Sequence, residues 1–329
     1  MGNTLIVFFI SKMNNVIENL QRISVVSSID QNMVYPLAVM LFSLMKNMSP
    51  AYTVEITIIE NGLTESYKKI LLDAVARFSN ARISFFPADL SLFNSVYLGH
   101  LSTATYFRLL LPRVVDDSFE TSIYLDADMI ILDDVSKLWS IELGENLLGA
   151  VADSYGENSF NAGVLIYNLR KWRNENLSEK SIEFVNKNAS ILVYHDQQAL
   201  NMLCSGKWLP LDMAWNVCKH HFSFAKIDIE NYYYIFKPRI IHFSGYPKVW
   251  HHGFHPYMVE YKKYAEEIGW NIFEPVSFVE RIMYQFSFRT ILSIMRPLFV
   301  FRSWLEKRFL KPTRNLRGRM GIKKSQLFG

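Results

Sequence analysis

Between Ile23 and Phe86 the chain switches repeatedly between two hydrophobic periods, and that alternation most restricts what it can fold into. Ile23 to Ser28 reads as a buried strand, after which Leu37, Met40, Leu41, Leu44, Met45 and Met48 recur at helical spacing. Pro36 suits the first helical turn, where a missing N–H costs nothing. Thr53 to Glu60 is rich in β-branched residues, Thr64 to Phe78 has a helical pattern, and Ile83 to Phe86 is a short strand. The order βαβαβ implies a mostly parallel sheet with helices on its faces, since parallel strands need crossover connections. The fold class is therefore α/β. Such sheets commonly bind nucleotides beyond the carboxyl ends of their strands, although fold alone does not name a chemistry.

Further along, a helix is expected from Thr103 to Leu111, strands near Leu147 to Ala152 and Gly163 to Tyr167, and a helix around Ser178 to Lys187. Another helix should follow Asp196, with a strand at Arg239 to Phe243 and a helix from Pro256 to Ile268. No internal repeat and no Gly/Ser linker divides this part. The expected organisation is one catalytic domain, residues 1–275, and a tail, residues 276–329.

The segment Ser122 to Leu132 is an apolar run interrupted by two carboxylates, Asp126 and Asp128, with Ala127 between them. Strand alternation would turn two acids one residue apart to the same side, where both could reach one hard divalent cation. That cation could hold a diphosphate. The plainer reading is a turn, because Asp favours turns through its own backbone hydrogen bonds. His242 ends the apolar run Ile240-Ile241 just before Ser244-Gly245. Alone it would be a hydrogen-bonded core histidine; with the aspartates it completes an O,O,N set suited to manganese, with magnesium as the other candidate. Lys248 lies six residues on, where its ammonium could fold over a phosphate or simply be solvated.

Arg108 sits in the otherwise apolar segment Ala104 to Leu111, where a charge is costly unless paired. A carboxylate or phosphate partner follows. Phe160 to Val164 places Asn161 and Gly163 before a strand, which allows a ligand to approach the backbone closely. His195 to Gln198 opens a helix, and for Asp196 the helix cap is the stronger reading on physics alone.

At these residues the chain resembles the family 8 glycosyltransferases, the retaining group that includes bacterial galactosyltransferases and glucosyltransferases of lipopolysaccharide outer core. The resemblance runs from about Ile23 to Trp250. It rests on five motifs in order: Thr105 to Arg108, Tyr124 to Asp128, Phe160 to Gly163, Asp196-Gln197, and His242 to Trp250. It implies a GT-A fold, a mixed sheet in which Asp126, Asp128 and His242 hold Mn2+ on a UDP-sugar while Lys248 and Gly245 contact its diphosphate. The resemblance further implies that Arg108, Asn161, Asp196 and Gln197 surround the donor sugar, with Asp153, His100 and Tyr194 near donor or acceptor. Ser27 and Asp30, at the end of the first strand, and Ala127 would meet the nucleotide. The family often has two adjacent acids at that strand end, where this chain has Ile29 before Asp30. The acceptor would be a glycan or a lipopolysaccharide or other surface polysaccharide. A metal-dependent nucleotidyltransferase or sugar-nucleotide hydrolase is the competing enzyme, and a non-catalytic membrane or glycan-binding module the other rival.

Composition adds limits. Cys204 and Cys218 are the only cysteines of 329 residues, too few for a disulfide framework or a thiolate zinc site, which fits a reducing compartment. The early apolar run Leu5 to Ile10 is too short to span a bilayer, has no basic lead or cleavage site, and Ile6 stands where a myristoylation signal wants Ser or Thr. A cytoplasmic protein is expected. The net charge of +4 conceals twelve Lys or Arg against Glu306 alone in residues 281–329. In that tail Phe286, Phe288, Ile291, Leu292, Leu298, Phe299, Phe301 and Trp304 alternate with basic residues, and Pro297 divides the pattern. Two amphipathic pieces on an anionic membrane surface at the inner face of the cell membrane account for this best. Packing onto the catalytic domain is the alternative; no nucleic-acid motif accompanies the charge.

Overall fold

The computed structural model describes residues 21–93, 103–153, 158–189, 191–218, 237–245, 248–251, 255 and 257–271. The basic tail lies outside the described residues, as does His100. Among the described residues no helix is long and apolar enough to cross a membrane.

Among the described residues ten strands form two sheets: β1 (Gln21–Ile29), β2 (Tyr52–Glu60), β3 (Ala81–Pro87), β4 (Thr121–Leu125), β5 (Met129–Ile131), β6 (Leu148–Ala152), β7 (Phe160–Asn168), β8 (Trp208–Leu211), β9 (Val217–Cys218) and β10 (Ile240–His242). Five helices matter below: α1 (Val34–Asn47), α2 (Glu65–Val75), α3 (Leu177–Asn188), α4 (His195–Leu203) and α5 (Met258–Glu267).

The larger sheet has the order β3-β2-β1-β4-β7-β6-β8. Strands β3, β2, β1 and β4 are mutually parallel, whereas β7 runs antiparallel to β4 and β6. The sheet is thus mixed, and mostly parallel as the alternation requires. From Ile23 to Ile29 every residue of β1 is buried, the pattern of a strand covered on both faces. At the edge β3 alternates between partly buried and exposed instead. Helix α1 fills one face with eleven buried residues, and Pro36 lies in its first turn. Thr64 caps α2 by accepting from the Tyr67 N–H at 3.4 Å.

The smaller sheet, β5-β10-β9, is laid against the first by α1 and α5. Asn47 at the end of α1 joins these layers, donating to Ile131 O at 2.9 Å and to the Tyr264 hydroxyl at 3.0 Å. Behind β10, Val39, Ile130, Val217, Ile241, Phe243, Trp250, Tyr257 and Tyr261 form a separate apolar cluster. At about 1.5–3 kcal/mol per fully buried large apolar side chain, this cluster anchors the loop that follows β10.

One expected element differs, and one strand was not expected. Thr103–Leu110 is a 3-10 helix, not an α-helix, and runs into a short α-turn at Leu111–Val114. Pro112 lies inside that turn, where it lacks an N–H to continue a longer helix. Strand β8 had no sequence signal, because Pro210 within it breaks the ladder pattern; β8 is an edge strand, where proline is tolerated.

Candidate active site

The Asp126-Ala127-Asp128 turn is where the chain leaves the larger sheet at β4 and enters the smaller at β5. Both acids lie outside the strands, so the bend makes them converge; strand alternation, the mechanism expected from the sequence, does not apply. The turn is held from both sides, by Asp126 N–H donating to Gly163 O at 2.9 Å and Phe243 N–H donating to Asp128 O at 2.8 Å. Ala127 is buried between them.

His242 enters from the second sheet. The register places it opposite Met129 of β5 and beside Cys218 of β9. Its Nε2 is 3.3 Å from Asp128 Oδ1 and 3.7 Å from Asp126 Oδ2. One ligand atom from each of the three residues lies within 4.8 Å of the others. Gly163 of β7 makes this approach possible. A Cβ there would sit 2.5 Å from His242 Cε1 and 2.9 Å from Asp126 Oδ2. The glycine therefore admits protein groups, the imidazole and the carboxylate, where the sequence suggested close approach of a ligand.

Charge in this turn is strongly conditioned. Burial disfavours ionised Asp128, but Lys248 and His242 outweigh it and hold the carboxyl well below the usual range. Burial likewise opposes a charged His242, but Asp128 and then Cys218 raise the imidazole well above its ordinary value. Two hard oxygens and an imidazole nitrogen are a donor set that suits a divalent cation of the manganese or magnesium kind. Such a cation would take over the counter-charge that the imidazolium and Lys248 supply.

Arg108 is 5% exposed and divides its fork between two carboxylates, Asp126 Oδ1 at 3.0 Å and Asp196 Oδ2 at 2.9 Å. It also donates to the Thr105 and Ala162 carbonyls, and its guanidinium lies 4.6 Å from the Tyr124 ring centre. Burial works against its charge, and Asp126 and Asp196 restore it. Asp196 is consequently not a helix cap. Helix α4 begins at His195 after Tyr194, which makes no side-chain cap, and the Asp196 carboxylate turns inward to Arg108.

Beside this pair, Gln197 Oε1 accepts from Asn161 Nδ2 at 3.1 Å and from Ala162 N–H at 3.2 Å, while its Nε2 donates to Asp153 Oδ2 at 3.0 Å. Five expected residues, Arg108, Asp153, Asn161, Asp196 and Gln197, thus form one network adjoining Asp126.

Lys248 is already committed to protein, donating to Asp128 Oδ2 and to Phe243 O. Gly245 is exposed with φ +79°, a conformation few other residues adopt, in the loop carrying that lysine. Asp30 caps the 3-10 turn Gln31–Met33 by accepting from Asn32 N–H at 2.8 Å. Ile29 belongs to the apolar core. Ser27 is 0% exposed and its hydroxyl has no hydrogen-bond partner among the described residues; being buried, it does not share the surface with Asp30. Tyr194 is 54% exposed, at the start of α4.

Sequence reasoning missed two residues. Tyr124 donates to Asp126 Oδ1 at 3.0 Å, and its place two residues before that acid was the available signal. Asn216 accepts from His242 Nδ1 at 2.9 Å, and nothing local in the sequence announces it.

Comparison with known proteins bears on this arrangement. The family profile described as Glycosyl transferase family 8 matches residues 24–253. General stress protein A of Bacillus subtilis strain 168 is 31% identical over 277 residues, covering 75% of this chain and 94% of that protein. Glycosyltransferase GlyB of Streptococcus pneumoniae serotype 4 is 35% identical over 158 residues, 45% of this chain and 38% of GlyB. Among solved structures, the galactosyltransferase LgtC in complex with donor and acceptor sugar analogues superposes with a TM-score of 0.64 at 25% identity, covering 79% of this chain and 100% of LgtC.

Proposed function

Because the chain belongs to glycosyl transferase family 8, we propose that it moves a hexose, glucose or galactose, from a UDP-sugar to a glycan or surface-polysaccharide acceptor with retention at the anomeric carbon. That it is a glycosyltransferase of GT-A fold follows from the family and the likeness to LgtC; donor, metal and acceptor are the proposal. The observation that carries it is the convergence of Asp126, Asp128 and His242 beside a half-buried network of polar side chains.

Asp126, Asp128 and His242 would hold Mn2+, with Mg2+ as the alternative. When bound, the cation supplies Lewis-acid stabilisation of charge on the departing diphosphate, typically several kcal/mol. Lys248 is released from Asp128 as that charge develops and follows it to the phosphates, with Gly245 leaving the backbone open there. Arg108 pairs with Asp126 and Asp196 and fixes both carboxylates in place, so that neither has to reorganise during transfer. Asn161, Gln197 and Asp153 orient the hexose; Asp30, just beyond the end of β1, faces the nucleoside. Front-face attack fits these groups. A β-phosphate oxygen takes the proton of the acceptor hydroxyl, the glycosyl–oxygen bond to UDP breaks on the same face, and Gln197 supports the sugar without bonding to it.

The LgtC complex with donor and acceptor sugar analogues supports a sugar donor and a sugar acceptor for the same fold. The test incubates the protein with UDP-glucose and UDP-galactose, with and without Mn2+, and follows UDP, UMP, sugar and sugar 1-phosphate. Metal-dependent release of UDP is expected. UMP with sugar 1-phosphate would establish a hydrolase instead, and a covalent hexosyl adduct on Gln197 or Asp196 would overturn front-face transfer. For the tail we propose binding to the anionic inner face of the cell membrane, checked by flotation of the full-length protein with anionic and with neutral vesicles. Equal flotation contradicts it.

A further inference from the structure

Three amides in the site are joined head to tail, and the geometry points to Asn216 as the positioning residue that presents His242 to the metal and ties that metal to the sugar side. The inference rests on the metal site proposed above. Asn216 is 1% exposed, in the turn between the 3-10 helix Met213–Trp215 and β9.

The direction of each hydrogen bond follows from backbone groups whose polarity is fixed. Gly163 N–H donates to Asn161 Oδ1 at 2.9 Å, which sets the orientation of the Asn161 amide. Asn161 Nδ2 therefore faces Gln197 Oε1, itself fixed as acceptor by Ala162 N–H. Gln197 Nε2 then meets the Asp153 carboxylate, which can accept it. On the other side Asn161 Oδ1 can only be approached by a donor, so Asn216 presents Nδ2 to it, at 2.8 Å. That leaves Asn216 Oδ1 facing His242 Nδ1 at 2.9 Å, which must carry the hydrogen. Nε2 is the nitrogen turned toward Asp126 and Asp128.

A ligating imidazole whose second nitrogen donates to a fixed acceptor holds one tautomer and one ring plane, and loss of that acceptor typically weakens metal binding about 10–100-fold. Here the acceptor is an amide that also bonds Asn161. Displacing the ring therefore displaces Asn161 and, through it, Gln197. Metal occupancy and sugar orientation are coupled by three amides with no titrating group among them.

The experiment measures Mn2+ binding by electron paramagnetic resonance of the free ion, and the His242 Nδ1 proton by 15N-histidine NMR of the metal-free and Mg2+-loaded protein. Asn216→Ala should lower Mn2+ affinity about 10–100-fold and abolish the slowly exchanging Nδ1 proton seen in the wild type. Asn216→Asp keeps an acceptor for Nδ1 but cannot donate to Asn161. It should retain that proton and metal affinity within about threefold of wild type, while turnover falls at least about tenfold. Unchanged Mn2+ affinity in Asn216→Ala, or a wild-type Nδ1 that carries no proton, overturns the inference. Failure of the wild type itself to bind Mn2+ would sink the metal reading, whereas the metal-free NMR signal still reports on the amide chain.

Discussion

Replacing Gly163 by alanine adds one methyl group where β7 meets the His242 ring and the Asp126 carboxylate. The backbone there has no left-handed φ, so alanine is conformationally acceptable and the effect is steric alone. The new Cβ would meet His242 Cε1 at 2.5 Å and Nδ1 at 2.7 Å, against 3.4 Å for the onset of ordinary contact. The ring must retreat by about 0.9 Å, yet it is only 4% exposed and its Nδ1 is held by Asn216 Oδ1 at 2.9 Å with Cys218 Sγ at 3.7 Å. Metal–ligand distances tolerate only about 0.2 Å. A shift several times larger removes one ligand in effect, and the loss of Mn2+ affinity should be about 100-fold, or roughly 2.7 kcal/mol. Overpacking should also cost about 1–3 kcal/mol of stability, so the protein remains folded with a lowered Tm. Calorimetric Mn2+ titration and UDP release under identical conditions read the two effects separately. Affinity and turnover within about twofold of wild type would refute the claim that Gly163 sets the place of the imidazole.

Arg108→Met should destabilise the protein by about 3–5 kcal/mol in denaturant unfolding, because Asp196, 6% exposed, and Asp126 both lose their cation; a loss below about 1 kcal/mol would show that the pairs contribute little. Lys248→Met should reduce turnover about 10²–10³-fold in the UDP-release assay while leaving the fold intact, and turnover near wild type would remove the lysine from leaving-group stabilisation. Burial pushes the Cys204 thiol up to about 12 from an ordinary 9.0. The folded chain therefore keeps a proton that the unfolded chain releases, so this thiol's contribution to stability is lost as pH rises from 9.0 to about 12. At pH about 8.5 iodoacetamide should label Cys204 only as fast as the protein opens, read by peptide mass; labelling at the denatured rate contradicts this.

The periodic parts of the fold were legible in the sequence because burial imposes one pattern per element. The sequence of Ile23 to Ser28 is apolar on both strand faces apart from small serines, of which Ser24 pairs with Ser122 and Ser28 with the Tyr124 hydroxyl, each at 2.8 Å. Likewise α1 announces itself by eleven buried positions. Of the second sheet only β10 was legible, inside the run Arg239 to Phe243. Strands β5 and β9 are three and two residues long, too short to show a period, and are defined only by pairing with β10. The site divides in the same way. Asp126, Asp128, Arg108 and His242 stand out because charge or imidazole inside apolar sequence demands a partner. Asn216 does not, since an amide after Trp215 looks like any turn residue, and its partners Asn161 and His242 are 55 and 26 positions away. The same blindness misassigned Asp196, whose local context matches a cap but whose partner Arg108 lies in a distant segment.

The central claim is that Asp126, Asp128 and His242 together hold one divalent cation at the mouth of the sheet, against the leaving diphosphate. Anomalous diffraction from a crystal grown with Mn2+ and UDP tests it directly. A single strong manganese peak is expected within about 2.0–2.4 Å of a carboxylate oxygen of each aspartate and of His242 Nε2, with diphosphate oxygens completing the shell. A manganese peak away from these three residues, or UDP-sugar turnover that persists after Asp128→Asn with no metal bound, would contradict it.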